Sequence, residues 1–487
     1  MKKICQYVFA GCLVASGFTQ AQTSIVVNQA GYYPLWPKSV AVIDPEPTMK
    51  FLELWDTEKQ KLVKRIRIPT AKQDIHSKQY IAMVNFSHIQ RQGSYRWQID
   101  KIQSPKFQIS QQAFDPLMQK LLRSYYLQRC GFLLHDSESN SIHALDHQED
   151  GFLLHTDEVN SKDTRIEANG GWHDAGDYGK YVVTTTVAIA EILDVYQRRP
   201  QHFVDNQLRI PESGNGIADV LDEMQVGLAW LLTMQRQDGA VYRKLSGNKW
   251  PSIVSPDMDN QKRYVYGVSS PETAKFAGVM AQAAKIYQHI NPQAAQSYQQ
   301  AAEKAWQWLE KIPKQRVDWF AEDDSGSGKY LESEVDQEPS LFTDDDDRVW
   351  AATELWLLTK QPKYVEYLRQ KMPYMTANLA LFEWKNPSLL AVMHLIETPQ
   401  FPKQLRQQLK QAFLARAQQS LQRSKMSQFK IANHRFVWGS NKMVAEEGRI
   451  LMFAYHLTKQ QTYFRAALAQ LNFILGMNPQ GLSFVTG

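Results

Sequence analysis

Residues 170–181 read GGWHDAGDYGKY, and a strongly apolar stretch follows them directly. That stretch predicts a helix over 179–198 that is buried on most of its surface, because its apolar residues are not confined to one stripe. Two carboxylates three residues apart, Asp174 and Asp177, stand in a loop whose four glycines let the backbone bend and approach a ligand closely. Asp177 could simply cap the following helix. The crowding of two acids, a histidine and aromatic rings into one glycine-rich loop instead favours a functional site.

The helical pattern extends over most of the chain on either side of this loop. Helices are predicted at 116–129, 179–198, 217–236, 272–289, 294–311, 347–359, 363–371, 387–396, 402–423, 442–458 and 461–475. The first should begin with Asp115 as N-cap and Pro116 at the first helical position. Strongly apolar helices are typical of the inner ring of a double-layered helical barrel. The eleven predicted helices fall one short of the twelve that six helix pairs require.

The preceding segment, residues 22–112, has a different periodicity. Short β-branched or alternating runs occur at 24–27, 39–43, 50–55, 63–68, 80–84, 94–99 and 106–109. Turn residues such as Pro45, Pro47 and Gly93 separate them. Seven short strands at this spacing predict a small β-sandwich. The predicted architecture is therefore multidomain, with an all-β unit at 22–112 followed by an all-α unit at 113–487.

The first 21 residues have the composition of a signal peptide. Lys2 and Lys3 precede a mostly apolar stretch, and small residues lead to a cleavage site after Ala21. A lipoprotein box ending at Cys12 is the alternative, and both predict export.

Without the leader only Cys130 remains, so no intrachain disulfide is expected and no Cys/His zinc pattern is apparent. The net charge of +5 is small for 487 residues, which argues against a nucleic-acid or membrane-surface partner.

Several ordered motifs resemble those of glycoside hydrolase family 9, the cellulase family with an (α/α)6 barrel. Besides residues 170–181 they are IPESGNGIADVLDE at 210–223, QDGAVY at 237–242, FVWGSN at 436–441 and ILGMNPQGLSFVTG at 474–487. VNQAGY at 27–32 resembles the start of the immunoglobulin-like module found in one branch of the family. The resemblance covers essentially the whole chain after the leader.

The resemblance implies an inverting glycosidase acting on β-1,4-linked glucan, such as cellulose or cello-oligosaccharides. Asp177 matches the principal base, and Asp174 matches the helper on the same water. The family's general acid is a glutamate in a segment that would follow Gly487. Glu446 and Glu447 do not match its position and are interpreted as ordinary helical carboxylates. We therefore expect a C-terminally truncated chain with little or no turnover of its own.

An acidic segment carries twelve carboxylates between Asp318 and Asp347. On its own this pattern indicates a solvated loop whose last acids favour the dipole of the following helix. Oxygen-rich clusters also suit Ca²⁺. The resemblance favours a structural Ca²⁺ at Asp346 and Asp347, where the second position is Asp rather than the family's Glu. No metal is expected to be required for the chemistry.

Three tryptophans in irregular segments are candidates for stacking on sugar rings: Trp250, Trp384 and Trp438. Core packing is the alternative for each, because large aromatics dominate buried surface. His173 is a further candidate for the substrate-binding site. Its side chain could orient Asp174, or it could simply form hydrogen bonds within its own loop. The resemblance places all four in segments that contact substrate.

Three other functions remain open at this stage. One is an exo-acting glucosaminidase on chitosan oligomers, and another is a non-catalytic glycan-binding protein if the chain ends at Gly487. A polysaccharide lyase on the same type of barrel is disfavoured by residues 172–181. The expected partner is an oligosaccharide or polysaccharide, and the expected state is a secreted or periplasmic monomer.

Overall fold

The computed structural model describes residues 23–318, 343–377, 379–437 and 439–485. The described residues form two compact units. The first extends to Gln111 and also includes Ser427–Phe429 and Leu475–Phe484. The second comprises Gln112–Met426, Lys430–Ile474 and Val485. The predicted leader, with Cys12, lies outside the described residues.

The first unit is a β-sandwich, as predicted. Its strands are β1 (Ser24–Val26), β2 (Ser39–Ile43), β3 (Phe51–Asp56), β4 (Lys61–Arg67), β5 (Lys72–Gln73), β6 (Tyr80–Asn85), β7 (Gly93–Ile99), β8 (Ile102–Gln103) and β9 (Phe107–Ile109). One sheet has the order β1-β2-β6-β5, and the other has the order β4-β3-β7-β8 with β9 also on β7. Inward residues of both sheets, such as Val42, Leu54 and Trp97, share one apolar core. The two-residue strands β5 and β8 were not predicted, since they are too short to show a period.

Two late segments of the chain complete the first unit. The backbone N–H of Gln29 donates to the carbonyl of Leu475 over 2.8 Å, and the Gln29 side chain donates to the carbonyl of Gly481. Asp74 accepts from the hydroxyl of Ser427 over 2.9 Å. The β-sandwich predicted from the sequence was the continuous range 22–112, which does not include these segments. Contacts between residues so far apart in sequence leave no local pattern.

The second unit is mainly helical. Its helices are α1 (Asp115–Arg123), α2 (Val182–Arg198), α3 (Asp219–Thr233), α4 (Ser270–Tyr287), α5 (Pro292–Lys311), α6 (Asp345–Thr359), α7 (Pro362–Gln370), α8 (Met372–Ala377), α9 (Ser388–Glu397), α10 (Lys403–Met426), α11 (Ser440–Thr458) and α12 (Gln461–Ile474). Short strands lie in its loops: β10 (Leu134–Asp136), β11 (Ser141–His143), β12 (Phe152–Leu153), β13 (Lys180–Tyr181), β14 (Val241–Tyr242), β15 (Lys244–Gly247), β16 (Arg263–Val265) and β17 (Val268–Ser269).

The helices form two layers that differ in how much surface each one buries. Nearly every residue of α4 is buried, and α6 and α9 are buried on almost all sides. By contrast, α5 buries a stripe at helical spacing that includes Ala295, Tyr298, Ala302 and Leu309. Fully buried helices must form an inner layer, and striped helices cover it. The predicted helical barrel is confirmed.

The inner helices run in one direction. A cavity of about 680 Å³ is lined by residues from the C-terminal halves of α2, α4, α6, α9 and α11, among them Arg198, Lys285, Leu357, Glu397 and His456. Because these ends meet around one cavity, the N-terminal ends of the same helices gather at the opposite end of the barrel. Among the described residues, no helix combines the length and apolar character needed to cross a membrane.

Three details of the helix prediction differ from the structure. Helix α1 ends at Arg123 rather than 129, and a separate 3-10 turn follows at Tyr126–Gln128. Its N-cap is Phe114, so Asp115 is already helical and caps nothing with its side chain. The short helix α8 was not predicted, because Pro373 suggested that the preceding helix had ended.

Candidate active site

The glycine-rich loop ends where an inner helix begins. Its last residues form β13, which pairs with β15 through Lys180 with Leu245 and Tyr181 with Lys244. Helix α2 then begins at Val182, with Tyr181 at the N-cap position and no side chain capping it. Asp177 therefore does not cap the helix, and the structural role considered for it in the sequence is excluded.

Asp177 is held between two donors. Its side chain is buried, with 7% of its surface exposed. The Tyr181 hydroxyl donates to Oδ2 over 2.5 Å, and the backbone N–H of Gly179 donates to Oδ1 over 3.2 Å. A Cβ on Gly179 would lie 2.8 Å from Oδ2 and 2.6 Å from the Tyr181 ring, so only glycine fits there. These contacts fix the carboxylate in one orientation.

Asp174 has a more open environment in the same loop. Its residue surface reaches solvent, and Oδ1 accepts from the Thr184 hydroxyl over 2.8 Å. The surrounding protein atoms nevertheless desolvate the carboxyl and raise its pKa. The hydrogen bond from Thr184 opposes this rise, and the charge of Asp177 adds to it. The two carboxylates therefore differ in their surroundings, with Asp177 buried and fixed and Asp174 accessible.

Buried polar contacts anchor the rest of the loop. The Trp172 indole N–H donates to Glu223 over 2.8 Å, and its ring packs so closely on Gly227 that a Cβ there would lie 2.3 Å from it. Lys180 is fully buried, pairs with Asp150 at 2.9 Å and donates to the carbonyls of residues 168 and 170. Such support holds catalytic groups in place with little reorganisation. The loop can thus offer one fixed and one accessible carboxylate to a water molecule.

His173 does not orient Asp174. Its imidazole is buried and lies 3.0 Å from Asp146, next to His147 at 3.2 Å. The residue that binds the Asp174 side chain is Thr184, which carries no sequence signal of its own. The alternative of hydrogen bonds within its own loop does not hold for these contacts either, because Asp146 and His147 lie outside residues 170–181.

His173 belongs to a cluster of four potential metal ligands: Cys130, Asp146, His147 and His173. One ligand atom from each lies within 4.8 Å of all the others. The sequence shows no Cys/His zinc pattern, but the fold brings these four potential ligands together. The sequence hid the cluster because its ligands are spread over 44 positions and include a carboxylate in place of a second cysteine.

Without a metal the cluster already contains strong electrostatic coupling. Burial lowers the pKa of His147, but the hydrogen bond to Asp146 and the contact with Cys130 outweigh burial and raise it to about 9. Burial raises the pKa of Cys130, but the charge of Lys180 and hydrogen bonds with both histidines lower it to about 6. Buried Asp146 Oδ2 lies near both imidazoles without a hydrogen bond of good geometry. A cation held by these four side chains would give the buried Asp146 oxygen the partner that it otherwise lacks.

The three tryptophans differ in their surroundings. Trp250 is 57% exposed, in a loop whose Val254 carbonyl accepts from the hydroxyl of Tyr178. Trp384 is only partly exposed and packs against the main apolar core, which favours the alternative of core packing for it. Trp438 lies outside the described residues. The segment that carries Trp250 is thus connected, through Val254 and Tyr178, to the loop that carries the two carboxylates.

Asp346 and Asp347 lie in the first turn of α6 and are fully buried. The Lys275 ammonium donates to Asp347 Oδ1. Both oxygens of Asp346 and Oδ2 of Asp347 have no hydrogen-bond partner. Burial raises the pKa of both carboxyls. The charge of Asp344 adds to the rise at Asp346, the charge of Asp346 adds to it at Asp347, and Lys275 only partly offsets both. The interpretation of a solvated acidic loop is therefore wrong for these two residues, while most of the acidic segment lies outside the described residues.

Glu446 and Glu447 are not ordinary helical carboxylates. Both are buried on α11. Glu447 forms ion pairs with Arg416 at 2.8 Å and with Arg423 at 2.5 Å. Burial raises the pKa of Glu446 to about 7, against the opposing charge of Arg449. The sequence missed this because a pair of glutamates in a helix usually faces solvent.

Comparison with known families identifies the family of this chain. The model described as Glycosyl hydrolase family 9 matches residues 114–487, and the model described as Cellulase N-terminal ig-like domain matches residues 20–104. The first match covers well over half of the chain, so the chain belongs to glycosyl hydrolase family 9 and is a glycosidase.

Individual relatives give the same result. The chain is 37% identical to a metagenome-derived family 9 endoglucanase, whose crystal structure matches with a TM-score of 0.89 over 96% of this chain and 85% of that chain. It is 29% identical to the Xyloglucan-specific endo-beta-1,4-glucanase BoGH9A of Bacteroides ovatus, over 95% of this chain and 80% of that protein. A Zn-binding triple mutant of endoglucanase J30 matches with 28% identity and a TM-score of 0.87, over 93% of this chain and 84% of that chain.

Proposed function

We propose that this protein hydrolyses β-1,4-linked glucan with inversion at the anomeric carbon, with Asp177 as base and Asp174 as its helper on one water molecule. The observation that carries the proposal is the fixed Asp177 carboxylate, which accepts from Tyr181 at 2.5 Å and from Gly179 at 3.2 Å. A base must remain ionised and correctly oriented to accept a proton from water. Two donors hold the carboxylate oxygens in a fixed orientation.

In this mechanism water attacks the anomeric carbon from the face opposite the leaving oxygen. The new C–O bond forms as the glycosidic C–O bond breaks, and the proton of the water passes to Asp177. Accessible Asp174 accepts a second hydrogen bond from the same water. The leaving oxygen ordinarily needs a proton from an acid on the other face. An aryl leaving group of low pKa does not, so an aryl glycoside tests the base alone.

Glucan is preferred over other sugars because the endo-β-1,4-glucanase named above is 29% identical along nearly the whole chain. Nothing in that comparison favours the glucosaminidase alternative. A non-catalytic glycan-binding protein remains the second candidate, since it could retain the same loop without turnover. We further propose that the protein acts outside the cytoplasm as a monomer, with export directed by residues 1–21.

The test is the stereochemistry of the product. With 2,4-dinitrophenyl β-cellobioside as substrate, proton NMR should detect α-cellobiose first and its β-anomer only after mutarotation. Immediate formation of β-cellobiose would contradict inversion. Binding of cello-oligosaccharides with no turnover of this activated substrate would favour the non-catalytic alternative.

We also propose that Cys130, Asp146, His147 and His173 bind Zn²⁺ as a structural ion. One thiolate, two imidazoles and one carboxylate suit its preferred tetrahedral geometry. The Zn-binding variant of J30 makes zinc a reasonable choice for this fold. We expect Zn²⁺ to raise the thermal midpoint of metal-free protein, as followed by circular dichroism.

Two variants control the zinc experiment. Cys130→Ala should abolish the stabilisation, and Asp146→Cys should strengthen zinc binding because thiolate is the softer ligand. An equal zinc response in Cys130→Ala would show that the ion binds elsewhere and would contradict the proposal.

Asp346 and Asp347 are proposed to hold Ca²⁺ together with ligands from outside this pair. Their three unpartnered buried oxygens support a cation, and Lys275 already supplies one positive charge. We expect a Ca²⁺ chelator to lower the thermal midpoint and added Ca²⁺ to restore it. Asp346→Asn should remove this response. An unchanged midpoint in chelator would mean that Lys275 alone neutralises the pair.

A further inference from the structure

The outer face of one sheet of the β-sandwich has an unusual composition. The residues of β3, β4, β7 and β8 that point away from the core form what we call the arginine face: Phe51, Glu53, Trp55, Arg65, Arg67, Arg96, Gln98 and Gln103. Strand alternation and register place them together, since the intervening residues Leu52, Leu54 and Trp97 are buried. In the strand register Arg65 lies opposite Glu53, Glu53 lies opposite Gln98, and Gln98 lies opposite Gln103. One row of the face thus crosses all four strands.

The face is accessible and partly ordered by its own contacts. Phe51 is 44% exposed, and the Arg65 side chain is 61% exposed. The Arg65 guanidinium lies over the Phe51 ring at 4.8 Å and forms an ion pair with Glu53 at 3.2 Å. The Trp55 indole N–H donates to the other oxygen of Glu53. An arginine stacked on an aromatic ring keeps its charge and loses little freedom when it binds a ligand.

The amide groups on the face are also held in place. Arg96 donates to Gln103, and Gln103 donates to Gln98 over 2.9 Å. The Gln98 side chain donates to the carbonyl of Asp100. These amides retain free hydrogen-bonding capacity toward hydroxyl groups, because each can make more bonds than the contacts use.

The charge of the chain is concentrated in this unit. Residues 23–110 contain thirteen Lys and Arg against seven Asp and Glu, an excess of six, while the whole chain has a net charge of +5. Lysines at the edge of a sheet, such as Lys61 and Lys64 on β4, are a common protection against strand addition. Arg65, Arg67 and Arg96 point out from the face and do not protect the edge. Their positions require a different explanation.

We propose that the arginine face binds an acidic polysaccharide, a polymer of pyranose rings that carry carboxylates. Guanidinium groups recognise carboxylates with two parallel hydrogen bonds. Aromatic rings offer flat apolar surface to sugar rings, and the amides hydrogen-bond to hydroxyls. Phe51 and Trp55 are four residues apart on β3, so the face is about 13 Å long and matches an extended chain better than a small molecule. This binding is independent of the proposed hydrolysis and would retain the enzyme on charged matrix material.

Single-stranded nucleic acid also binds surfaces that combine positive charge and aromatic rings. In such sites a groove of the protein follows the nucleic-acid backbone, and each base stacks on an exposed aromatic ring. Here the surface is a sheet face rather than a groove, and the ordered amides of Gln98 and Gln103 suit hydroxyl groups. The observations therefore favour a carboxylated glycan over nucleic acid.

The test is affinity electrophoresis of the full-length chain in gels containing polygalacturonate. We expect retardation that weakens with added salt and is lost in carboxyl-reduced polymer of the same length. Arg65→Gln/Arg67→Gln should raise the dissociation constant at least tenfold, and Phe51→Thr should raise it severalfold. The matched control Lys72→Gln/Lys78→Gln removes the same charge from the other sheet and should change it less than twofold. Thermal melts should show that all variants fold.

Four outcomes would overturn the proposal. These are no retardation at low salt, equal retention by carboxyl-reduced polymer, equal weakening in the lysine control, and equal or stronger binding to single-stranded DNA or anionic lipid vesicles. Asp177→Asn should leave retardation unchanged, so a failed hydrolysis assay and a failed binding assay are separate results.

Discussion

Asp177→Asn should lower the turnover of 2,4-dinitrophenyl β-cellobioside by about 10²–10⁴-fold, the range typical for loss of a general base. Asparagine has nearly the same shape: its oxygen can still accept from the Gly179 N–H, and its NH2 can donate to the Tyr181 oxygen, so the loop should keep its conformation. It cannot take up the proton of the attacking water. The loss should therefore appear in kcat with little change in KM or in the thermal midpoint.

Two other variants serve as the comparison and the control for Asp177→Asn. Asp174→Asn should reduce kcat less, because Asp174 assists the water without being the principal acceptor. Glu167→Gln removes an exposed carboxylate a few residues before the same loop and should leave kcat unchanged. If Asp177→Asn retains more than a tenth of the activity, Asp177 is not the base.

His394→Leu should destabilise the protein by about 3–5 kcal/mol, the cost of removing one partner from a buried ion pair. His394 on α9 lies 2.5 Å from Glu354 on α6 and 3.0 Å from Asp194 on α2. All three side chains are buried. Leucine would fill the space but leave two carboxylates without this counter-charge. Urea unfolding of the full chain at neutral pH would measure the loss.

The control for this prediction is His456→Ala. His456 is 56% exposed and lies 3.2 Å from Glu397. An exposed pair of this kind contributes about 0–1 kcal/mol. Equal destabilisation by both substitutions would contradict the role assigned to the buried triad.

The pH dependence of the His394 contribution has a definite sign. Burial lowers the pKa of His394, but Glu354 and Asp194 outweigh burial and raise it to about 9 in the folded chain. The stabilisation is fully present below the unfolded value near 6.5 and is lost as pH rises through about 9. The difference in unfolding free energy between wild type and His394→Leu should therefore shrink from about pH 6 to pH 9. A constant difference would mean that packing, not charge, explains the effect.

The sequence was most informative where chemistry is concentrated in one segment. Asp174 and Asp177 share a seven-residue neighbourhood with their supporting glycines, so their role could be proposed from local sequence. The sandwich and the barrel were also predictable, because period-two and helical patterns are each repeated many times. Both the fold and the family membership are confirmed.

Residues brought together only by folding were not predictable. The metal-ligand cluster joins Cys130 to His173, and the buried triad joins Asp194 to His394, at separations that leave no local pattern. Burial also changed the interpretation of Trp384, Glu446 and Asp347. A residue type in an irregular or charged segment indicates exposure only on average, and the packing of other elements decides each case.

The common direction of the inner helices has an electrostatic consequence. Each helix carries partial positive charge at its N-terminus and partial negative charge at its C-terminus, and parallel helices add these contributions. The barrel therefore has a potential gradient along its axis, positive at the end where Asp174, Asp177, Asp346 and Asp347 lie. The cations Arg198 and Lys285 occupy the negative end. The fold itself thus lowers the cost of collecting so many carboxylates at one end, before any cation or substrate binds.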